Sequence, residues 1–257
     1  MFKTKVVIVT GSSSGIGAGS ALKFAQEGAA GVVLHGRNED ALKKVKEELE
    51  KTSQGQTKVH VVSGDITVQG VRERLINETV ATFGRLDVLV NNAGISMTAT
   101  PTSECPIEVY DNIFNVNVRS VILLTQLAIP HLIKSKGAIV NISSVAALKA
   151  HPVFTYYNMA KIAVDHFTRC LAVELGPQGV RVNSVQPGAI PDTELANRYL
   201  VQSPGFEQYR KMVVERTPMR RVGQVEEVAN LILFLSSDKA SFITGTGTSV
   251  DGGLFLA

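Results

Sequence analysis

The sequence predicts one α/β domain built on a doubly wound parallel sheet of about seven strands, with helices on both faces. Short, mostly apolar runs rich in β-branched residues alternate with longer helical patterns along the whole chain. No repeat or linker divides the 257 residues, a length that is ordinary for one such domain. Apolar residues make up 44% and charged residues 19%, which excludes an intrinsically disordered chain. We therefore treat residues 1–257 as a single domain.

Each apolar run is short, as expected of a strand that is covered on both faces. The segments between the runs have helical periodicity; in Leu42–Lys51, for example, the apolar residues fall at positions 42, 45 and 49. Helices between parallel strands imply right-handed crossovers, and ligands of such sheets bind beyond the carboxyl ends of the strands. The predicted strands are Lys5–Thr10, Gly31–His35, Lys58–Ser63, Asp87–Asn91, Ala138–Ser143, Val180–Val185 and Thr246–Val250.

Composition argues against several other classes of protein. The net charge, 26 − 23 = +3, is too small and too dispersed to indicate nucleic-acid binding. The longest apolar stretch, Val121–Ile133, contains Pro130 and polar residues and is too short to span a bilayer, so we expect no membrane segment. Two cysteines suit a reducing, cytoplasmic compartment, and five scattered histidines predict no metal site.

A glycine-rich segment follows the first predicted strand and precedes a helical pattern. Its spacing is G-x-x-x-G-x-G, from Gly11 through Gly15 to Gly17. Glycines there allow a tight turn and let backbone N–H groups approach a pyrophosphate, which the following helix N-terminus also favours. The alternative is a Gly/Ser-rich turn without a ligand. Its place between strand and helix favours the phosphate-binding interpretation.

Four further motifs accompany the glycines: Asn91-Asn92-Ala93-Gly94, Tyr157-Asn158-Met159-Ala160-Lys161, Pro187-Gly188 and Asp251-Gly252-Gly253. With them the chain resembles the classical short-chain dehydrogenase/reductase family from about Lys3 to Gly253. The resemblance implies a Rossmann-type fold and hydride transfer between a nicotinamide dinucleotide and a ketone or secondary alcohol. It implies that the dinucleotide contacts Gly11, Ser13, Ser14, Gly15, Ile16, Gly17, Arg37, Asp65, Ile66, Asn92, Ala93, Gly94, Tyr157, Lys161, Pro187, Gly188 and Ile190.

The end of the second strand bears on which dinucleotide is bound. Family members that prefer NAD typically carry an Asp where this chain has Gly36, and Arg37 comes next. Without that carboxylate, a 2′-phosphate is not repelled and Arg37 can pair with it, so we expect NADP(H). The alternative is that Arg37 is an exposed loop residue without a ligand. Ser14 stands where some NADP-preferring members have a second basic residue. Asp65 is expected to contact adenine or, alternatively, to cap the next helix.

The catalytic residues are predicted around Tyr157. Tyr157 and Lys161 share a helix face, whereas Tyr156 points elsewhere. The Lys161 ammonium should favour the phenolate, which would let Tyr157 exchange a proton with substrate near neutral pH. Ser144 lies 13 residues before Tyr157, which matches the family spacing, and should polarise the substrate oxygen. Ser143 is then a packing or backbone-bonding residue.

Asn117 matches the fourth catalytic position of the family, with Asn115 as the rival. The implied role of Asn117 is to hold a water that links Lys161 to solvent, through a local distortion of the helix. An asparagine that bonds backbone groups inside a helix is the alternative.

Ile190 should cover the nicotinamide face with Pro187-Gly188. The family often places a Thr five residues after this proline to hold the carboxamide. That position is Asp192 here, and Thr193 comes one residue later. Either the loop shifts by one residue or the carboxamide is held differently.

Residues 189–215 correspond to the variable substrate lid of the family. An apolar pocket for a ketone or secondary alcohol is one interpretation, and packing of the lid on the core is the other. The residues concerned are Leu195, Tyr199, Leu200, Phe206 and Met212 in the lid, and Val145, Ala146, Ala147, Leu148, Val153 and Phe154 after the serine.

Two alternatives to an NADPH-dependent carbonyl reductase stay open. One is a 3-oxoacyl thioester reductase. Reductases of this kind commonly have basic residues near the mouth of the active site, just before the fifth and the sixth strands. Here the first segment, Lys134-Ser135-Lys136, is basic, and the second, Pro177-Gln178-Gly179, is not. The other is a non-catalytic dinucleotide-binding protein on the same fold. The apolar helical segments at 108–134 and 154–175, with the resemblance, predict a homo-oligomer. A tetramer is the expected form, and a dimer is the alternative.

Overall fold

The computed structural model describes residues 1–97, 99–197 and 206–257. These residues form one seven-stranded sheet with every strand parallel, in the order β3-β2-β1-β4-β5-β6-β7. The strands are β1 (Val6–Val9), β2 (Gly31–Gly36), β3 (Lys58–Ser63), β4 (Val88–Asn91), β5 (Ala138–Ile142), β6 (Arg181–Pro187) and β7 (Gly247–Val250).

The predicted fold class is confirmed, with all seven expected strands present. The largest difference in bounds is in β6, which the sequence predicts to end at Val185 and which runs on to Pro187. The reason is tertiary, because β6 continues to pair with β7 through Gln186↔Ser249 and Pro187↔Val250. The extension carries the chain directly to the loop that begins at Gly188.

Helices cover both faces of the sheet. Helices α1, α2 and α9 supply the core of one face and α3, α5 and α6 that of the other. Successive strand residues serve opposite faces: Val7 and Val9 pack in the first core, and Ile8 packs in the second. The helices are α1 (Gly15–Gln26), α2 (Glu39–Thr52), α3 (Gln69–Phe83), α4 (Ile107–Phe114), α5 (Ser120–Ser135), α6 (Thr155–Leu175), α7 (Glu194–Ala196), α8 (Phe206–Arg216) and α9 (Val225–Ser236).

A π-helical turn, Asn115–Arg119, joins α4 to α5 into one helical run. Within the described residues, this run, Ile107–Ser135, is the one stretch whose length and apolar composition would suit a membrane span. In the domain, 39% of its most apolar window is buried. Leu124, Ala128 and Leu132 pack there against the sheet core. The run is longer than the apolar stretch 121–133 suggests because the helix continues through the π turn.

Strand order reverses at β1, which lies between β2 and β4. The loops that follow β1, β2 and β4 therefore meet at the carboxyl edge of the sheet, beside those that follow β5 and β6. A ligand cleft is expected at such a switch point.

Candidate active site

A cavity of about 580 Å³ opens at this carboxyl edge. Nearly all residues predicted for the site line it, from Gly11 at one end to Tyr157 and Ile190. Gly17 and Asn117 do not line it and lie immediately behind its wall. Residues far apart in sequence are thus brought to one site.

The glycine-rich loop has the tight backbone that its composition predicts. Gly11 and Gly15 have φ values of +64° and +54°, in the left-handed region that favours glycine. A Cβ at Gly17 would collide with the carbonyl oxygen of Gly11, so the start of α1 can lie directly against the loop. The first turn of α1 contains no acidic residue, which keeps its N-terminus favourable to an anion.

Two neighbouring strands hold this loop in place. The Gly11 N–H donates to His35 Nδ1 at 3.4 Å, and the Ser12 N–H donates to the His35 carbonyl at 2.8 Å. Asn92 Nδ2 donates to the carbonyls of Thr10 and Gly11 at 2.8 and 3.0 Å. Burial lowers the pKa of His35 to about 4, so the ring is neutral and can accept from Gly11. Sequence reasoning missed His35, whose only signal was its place at the end of β2.

The end of β2 lies beside the same loop. A Cβ at Gly36 would stand 3.1 Å from Ser13 Oγ, so Gly36 leaves little room for a larger residue. Arg37 is exposed at the cavity edge and electrostatically coupled to Asp65.

Asp65 does not cap α3, contrary to the alternative considered for it. Helix α3 begins at Gln69 with Val68 as its N-cap, and Asp65 instead accepts from the Thr67 N–H and hydroxyl at 2.8 and 2.7 Å. This small turn keeps Asp65 in the cavity lining beside Ile66.

Ser144 and Tyr157 lie together at the other end of the cavity. Ser144 Oγ accepts from the Ala146 N–H at 3.1 Å and is hydrogen-bonded to Tyr157. Ser143 is buried and donates to the Lys161 carbonyl at 3.1 Å, as expected of a backbone-bonding residue. Tyr156 points elsewhere, with its hydroxyl 3.5 Å from the Cys105 carbonyl.

The expectation that Lys161 brings the pKa of Tyr157 down toward neutral pH is wrong for this structure. Burial raises the pKa of Tyr157 to about 12, against a smaller opposing effect of the Ser144 hydrogen bond. Lys161 Nζ is 5.5 Å from the centre of the Tyr157 ring and donates to the Ile142 carbonyl at 2.8 Å. Burial also lowers the pKa of Lys161 to about 8, with Asp165 opposing the change. Tyr157 is therefore protonated at neutral pH.

Asn117 lies in the π turn, so the predicted helix distortion is present. Its side chain is buried and bonds both backbone groups of Ile95: Oδ1 accepts from the N–H and Nδ2 donates to the carbonyl, each at 2.8 Å. Asn115 instead lines a separate surface depression. A Cβ at Gly94 would lie 3.3 Å from Asn117 Oδ1 and 3.7 Å from Lys161 Nζ, so the three residues share one small space.

The loop after β6 follows the one-residue shift that the sequence left open. Thr193, and not Asp192, lines the cavity, and its side chain lies against Gly15. Its hydroxyl donates to the Ile190 carbonyl and accepts from the Ala196 N–H, both at 3.1 Å. Glu194 follows at 3.3 Å from Ser14 Oγ. The lid therefore begins in contact with the glycine-rich loop.

The remaining wall of the cavity would face the substrate. Of the residues predicted for it, Val145, Ala146, Phe154, Leu195 and Met212 line the cavity, whereas Ala147, Leu148 and Val153 do not. Tyr199 and Leu200 lie outside the described residues, and for Phe206 only its place in α8 is described. The sequence did not predict four polar members of the wall, Lys149, His151, Arg210 and Arg216, or the late residues Leu254 and Phe255.

Comparison with known proteins identifies the family. Residues 11–255 match the family described as "Enoyl-(Acyl carrier protein) reductase". A glucose 1-dehydrogenase of Gluconobacter oxydans is 40% identical over 99% of this chain and 93% of its own. The chain belongs to the short-chain dehydrogenase/reductase family. A 3-oxoacyl-[acyl-carrier-protein] reductase of Thermotoga maritima is 38% identical over 98% of both chains. The crystal structure of levodione reductase has a TM-score of 0.95 at 29% identity, with full coverage of both chains.

Members of this family are oxidoreductases that bind a nicotinamide dinucleotide, and the cavity fits one. At Gly11, Gly15 and Gly17 a Cβ would come within 2.8, 3.2 and 2.3 Å of other protein atoms, so only glycine allows this tight loop, which leads into the N-terminus of α1. His35 Nε2, beside this loop, is buried without a hydrogen-bond partner in the part of the chain that the structure describes. These residues would hold the pyrophosphate end, and the Tyr157 end would face the nicotinamide.

Proposed function

We propose that this protein is an NADPH-dependent carbonyl reductase that converts a ketone to a secondary alcohol, and that it also runs in reverse. The observation that carries the proposal is that Ser144, Tyr157 and Lys161 line the same cavity as the glycine-rich loop. When bound, the dinucleotide supplies the hydride that reaches the carbonyl carbon.

The residues of the chain supply the remaining chemistry. The protonated Tyr157 donates its proton to the carbonyl oxygen, so one hydride and one proton together convert C=O to CH–OH. The Ser144 hydroxyl donates to the same oxygen as negative charge develops there. Lys161 places a cation near Tyr157 and stabilises the phenolate left after the transfer.

The preference for NADPH rests on Gly36 and Arg37. No carboxylate at position 36 would repel a 2′-phosphate, and the Arg37 guanidinium at the cavity edge would pair with it. Asp65 is nearby and would compete for Arg37, which sets a moderate rather than an absolute preference.

A 3-oxoacyl thioester reductase is the second candidate, because the Thermotoga maritima relative carries that name. One experiment separates the candidates: oxidation of NADPH and NADH is followed by absorbance with a panel of ketones, diketones and 3-oxoacyl thioesters. Turnover of simple ketones with NADPH supports the proposal, and turnover of thioesters alone supports the alternative. Dinucleotide binding without turnover of any substrate would indicate a non-catalytic binding protein.

We also propose that the protein is a homo-oligomer, and specifically a tetramer. Apolar side chains on the outer faces of α5 and α6 support this, since Leu127, Met159, Ile162 and Val173 are 37 to 80% exposed in the single chain. Light scattering at micromolar concentration tests the proposal, and a monomer mass would contradict it.

A further inference from the structure

The end of the cavity that contains Ser144 and Tyr157, here called the substrate end, carries positive charge. Three of the polar residues in its described wall, Lys149, Arg210 and Arg216, are cations, and His151 is the fourth. The acidic lining residue of the lid, Glu194, lies beside Ser14 of the glycine-rich loop. The charged side chains that line this end, among the described residues, are therefore cations.

These cations differ in what they contact. Arg210 Nη1 is 3.9 Å from Glu207, and Lys149 donates to the backbone carbonyl of Ala257. Arg216, at the end of α8, forms no ion pair with any carboxylate of residues 1–97, 99–197 and 206–257. Nearby on the same helix, Lys211 pairs with Glu215 at 3.9 Å. Arg216 thus reaches the cavity without a carboxylate partner among the described residues.

Arg216 and His151 both line the cavity and are electrostatically coupled. Partial burial lowers the pKa of His151, and the Arg216 guanidinium lowers it further. No other charged group affects His151 as strongly in the described structure. An imidazole N–H can donate a hydrogen bond to an anion that a nearby guanidinium attracts.

His151 is also fixed relative to Tyr157. The carbonyl of His151 accepts from Asn158 Nδ2 and from the Phe154 N–H, both at 3.1 Å, and its ring packs on the Phe154 ring with centres 5.1 Å apart. Asn158 is the residue after Tyr157 on α6. A group bound by His151 would therefore be held at a set distance from the proton donor.

We propose that the substrate is a ketone that carries an anionic group, a carboxylate or a phosphate, which Arg216 and His151 bind at the mouth of the cavity. The proposal rests on the proposed function and names its substrate class. The apolar residues between the mouth and Tyr157, among them Phe154 and Met212, would hold the carbon chain that separates the anion from the ketone. The anionic group takes no part in the transfer of hydride and proton.

The test compares matched substrates and matched variants. Methyl ketones with a terminal carboxylate at several chain lengths are compared with their neutral methyl esters. Acetoacetyl-coenzyme A is compared with the neutral N-acetylcysteamine thioester of acetoacetate, which distinguishes a phosphate from a carboxylate as the anion. Wild type, Arg216→Gln and the control Lys211→Gln are assayed with NADPH, and binding of the carboxylates is measured by calorimetry.

We expect the wild type to prefer at least one anionic substrate over its neutral partner by about tenfold in kcat/KM, as for an exposed charge-assisted hydrogen bond. Arg216→Gln should bring the ratio of kcat/KM for the anionic substrate to kcat/KM for its neutral partner down to about one, mainly through a higher KM for the anionic substrate. Lys211→Gln should keep the preference, and added salt should weaken it.

Reduction of neutral ketones with no preference for the anions would overturn this inference and leave the proposed function standing. An equal loss in Lys211→Gln would also overturn it, because that cation lies outside the cavity wall. If no ketone is turned over, the proposed function fails, and calorimetry still decides the inference: carboxylate binding that depends on Arg216 supports it, and its absence contradicts it.

Discussion

Lys161 and Asp165 lie one turn apart on α6 and bring a buried cation and a buried carboxylate to the same side of the helix. Asp165 accepts from Ser184 Oγ at 2.7 Å and from Gln186 Nε2 at 2.6 Å, so both of its oxygens are bonded to β6. Lys161 is bonded to the carbonyl of Ile142, at the end of the neighbouring strand β5. Lys161 is thus bonded to β5 and Asp165 to the adjacent strand β6.

Replacing Asp165 with Asn should move the alkaline limit of activity to lower pH. Burial already lowers the pKa of Lys161 to about 8, and Asp165 counteracts this. Lys161 carries its charge below that pKa and loses it as the pH rises through it. Without the carboxylate the pKa falls further, so the decline of kcat/KM should begin well below pH 8 in the variant and near pH 8 in the wild type. Ser184→Ala keeps the carboxylate and should shift the dependence of kcat/KM on pH less. An unchanged alkaline decline of kcat/KM in Asp165→Asn would contradict this prediction.

Tyr157→Phe should remove nearly all turnover and leave dinucleotide affinity almost unchanged. General acid catalysis contributes on the order of 10² to 10⁴ in rate, and the variant keeps the ring and loses the proton. Steady-state kinetics and calorimetric titration with NADPH measure the two quantities. Tyr156→Phe is the control, since that hydroxyl contacts the Cys105 carbonyl. Retention of more than half the wild-type rate would show that another group donates the proton.

Ser144→Ala should lower kcat far more than Ser143→Ala. Removal of a donor to a developing oxyanion costs roughly 10² in rate. Ser143→Ala instead removes a buried hydrogen bond to the Lys161 carbonyl, which should lower the free energy of unfolding by about 1 kcal/mol. Kinetics and urea denaturation of the two variants separate these effects. The opposite pattern, with the larger kinetic defect at Ser143, would reverse the assignment of the two serines.

The sequence predicted the parts of the structure that depend on local pattern. Apolar runs predicted the strands because a strand covered on both faces has few polar positions. Glycine spacing predicted the tight loop because Gly11 and Gly15 have the positive φ values that other residues avoid. The π turn at Asn117 was expected only through the family resemblance, since composition alone does not predict it.

What the sequence did not predict depends on contacts between distant elements. His35 supports the glycine-rich loop only because β2 lies next to β1, and Arg216 affects His151 although the two are 65 residues apart in the sequence. The pKa of Tyr157 was predicted from its neighbour in sequence, whereas burial by the surrounding fold raises it. Spacing along the chain reports which groups are close but not how much solvent they lose.

The preference for NADPH over NADH should reverse when Gly36 and Arg37, at the end of β2, are replaced. The wild type should prefer NADPH by about tenfold or more, toward the lower end of the range for a charge-assisted hydrogen bond, because Arg37 is exposed. Combining Gly36→Asp with Arg37→Ala should favour NADH, since the new carboxylate would repel a 2′-phosphate and accept from free ribose hydroxyls. A Cβ at position 36 would also lie 3.1 Å from Ser13 Oγ, so Gly36→Ala is needed to separate this steric effect from charge. Gly36→Ala should weaken both dinucleotides alike and leave their ratio unchanged. The measurement is kcat/KM for NADPH divided by that for NADH at fixed substrate and moderate salt, and a wild-type ratio below one would make Arg37 an ordinary exposed residue.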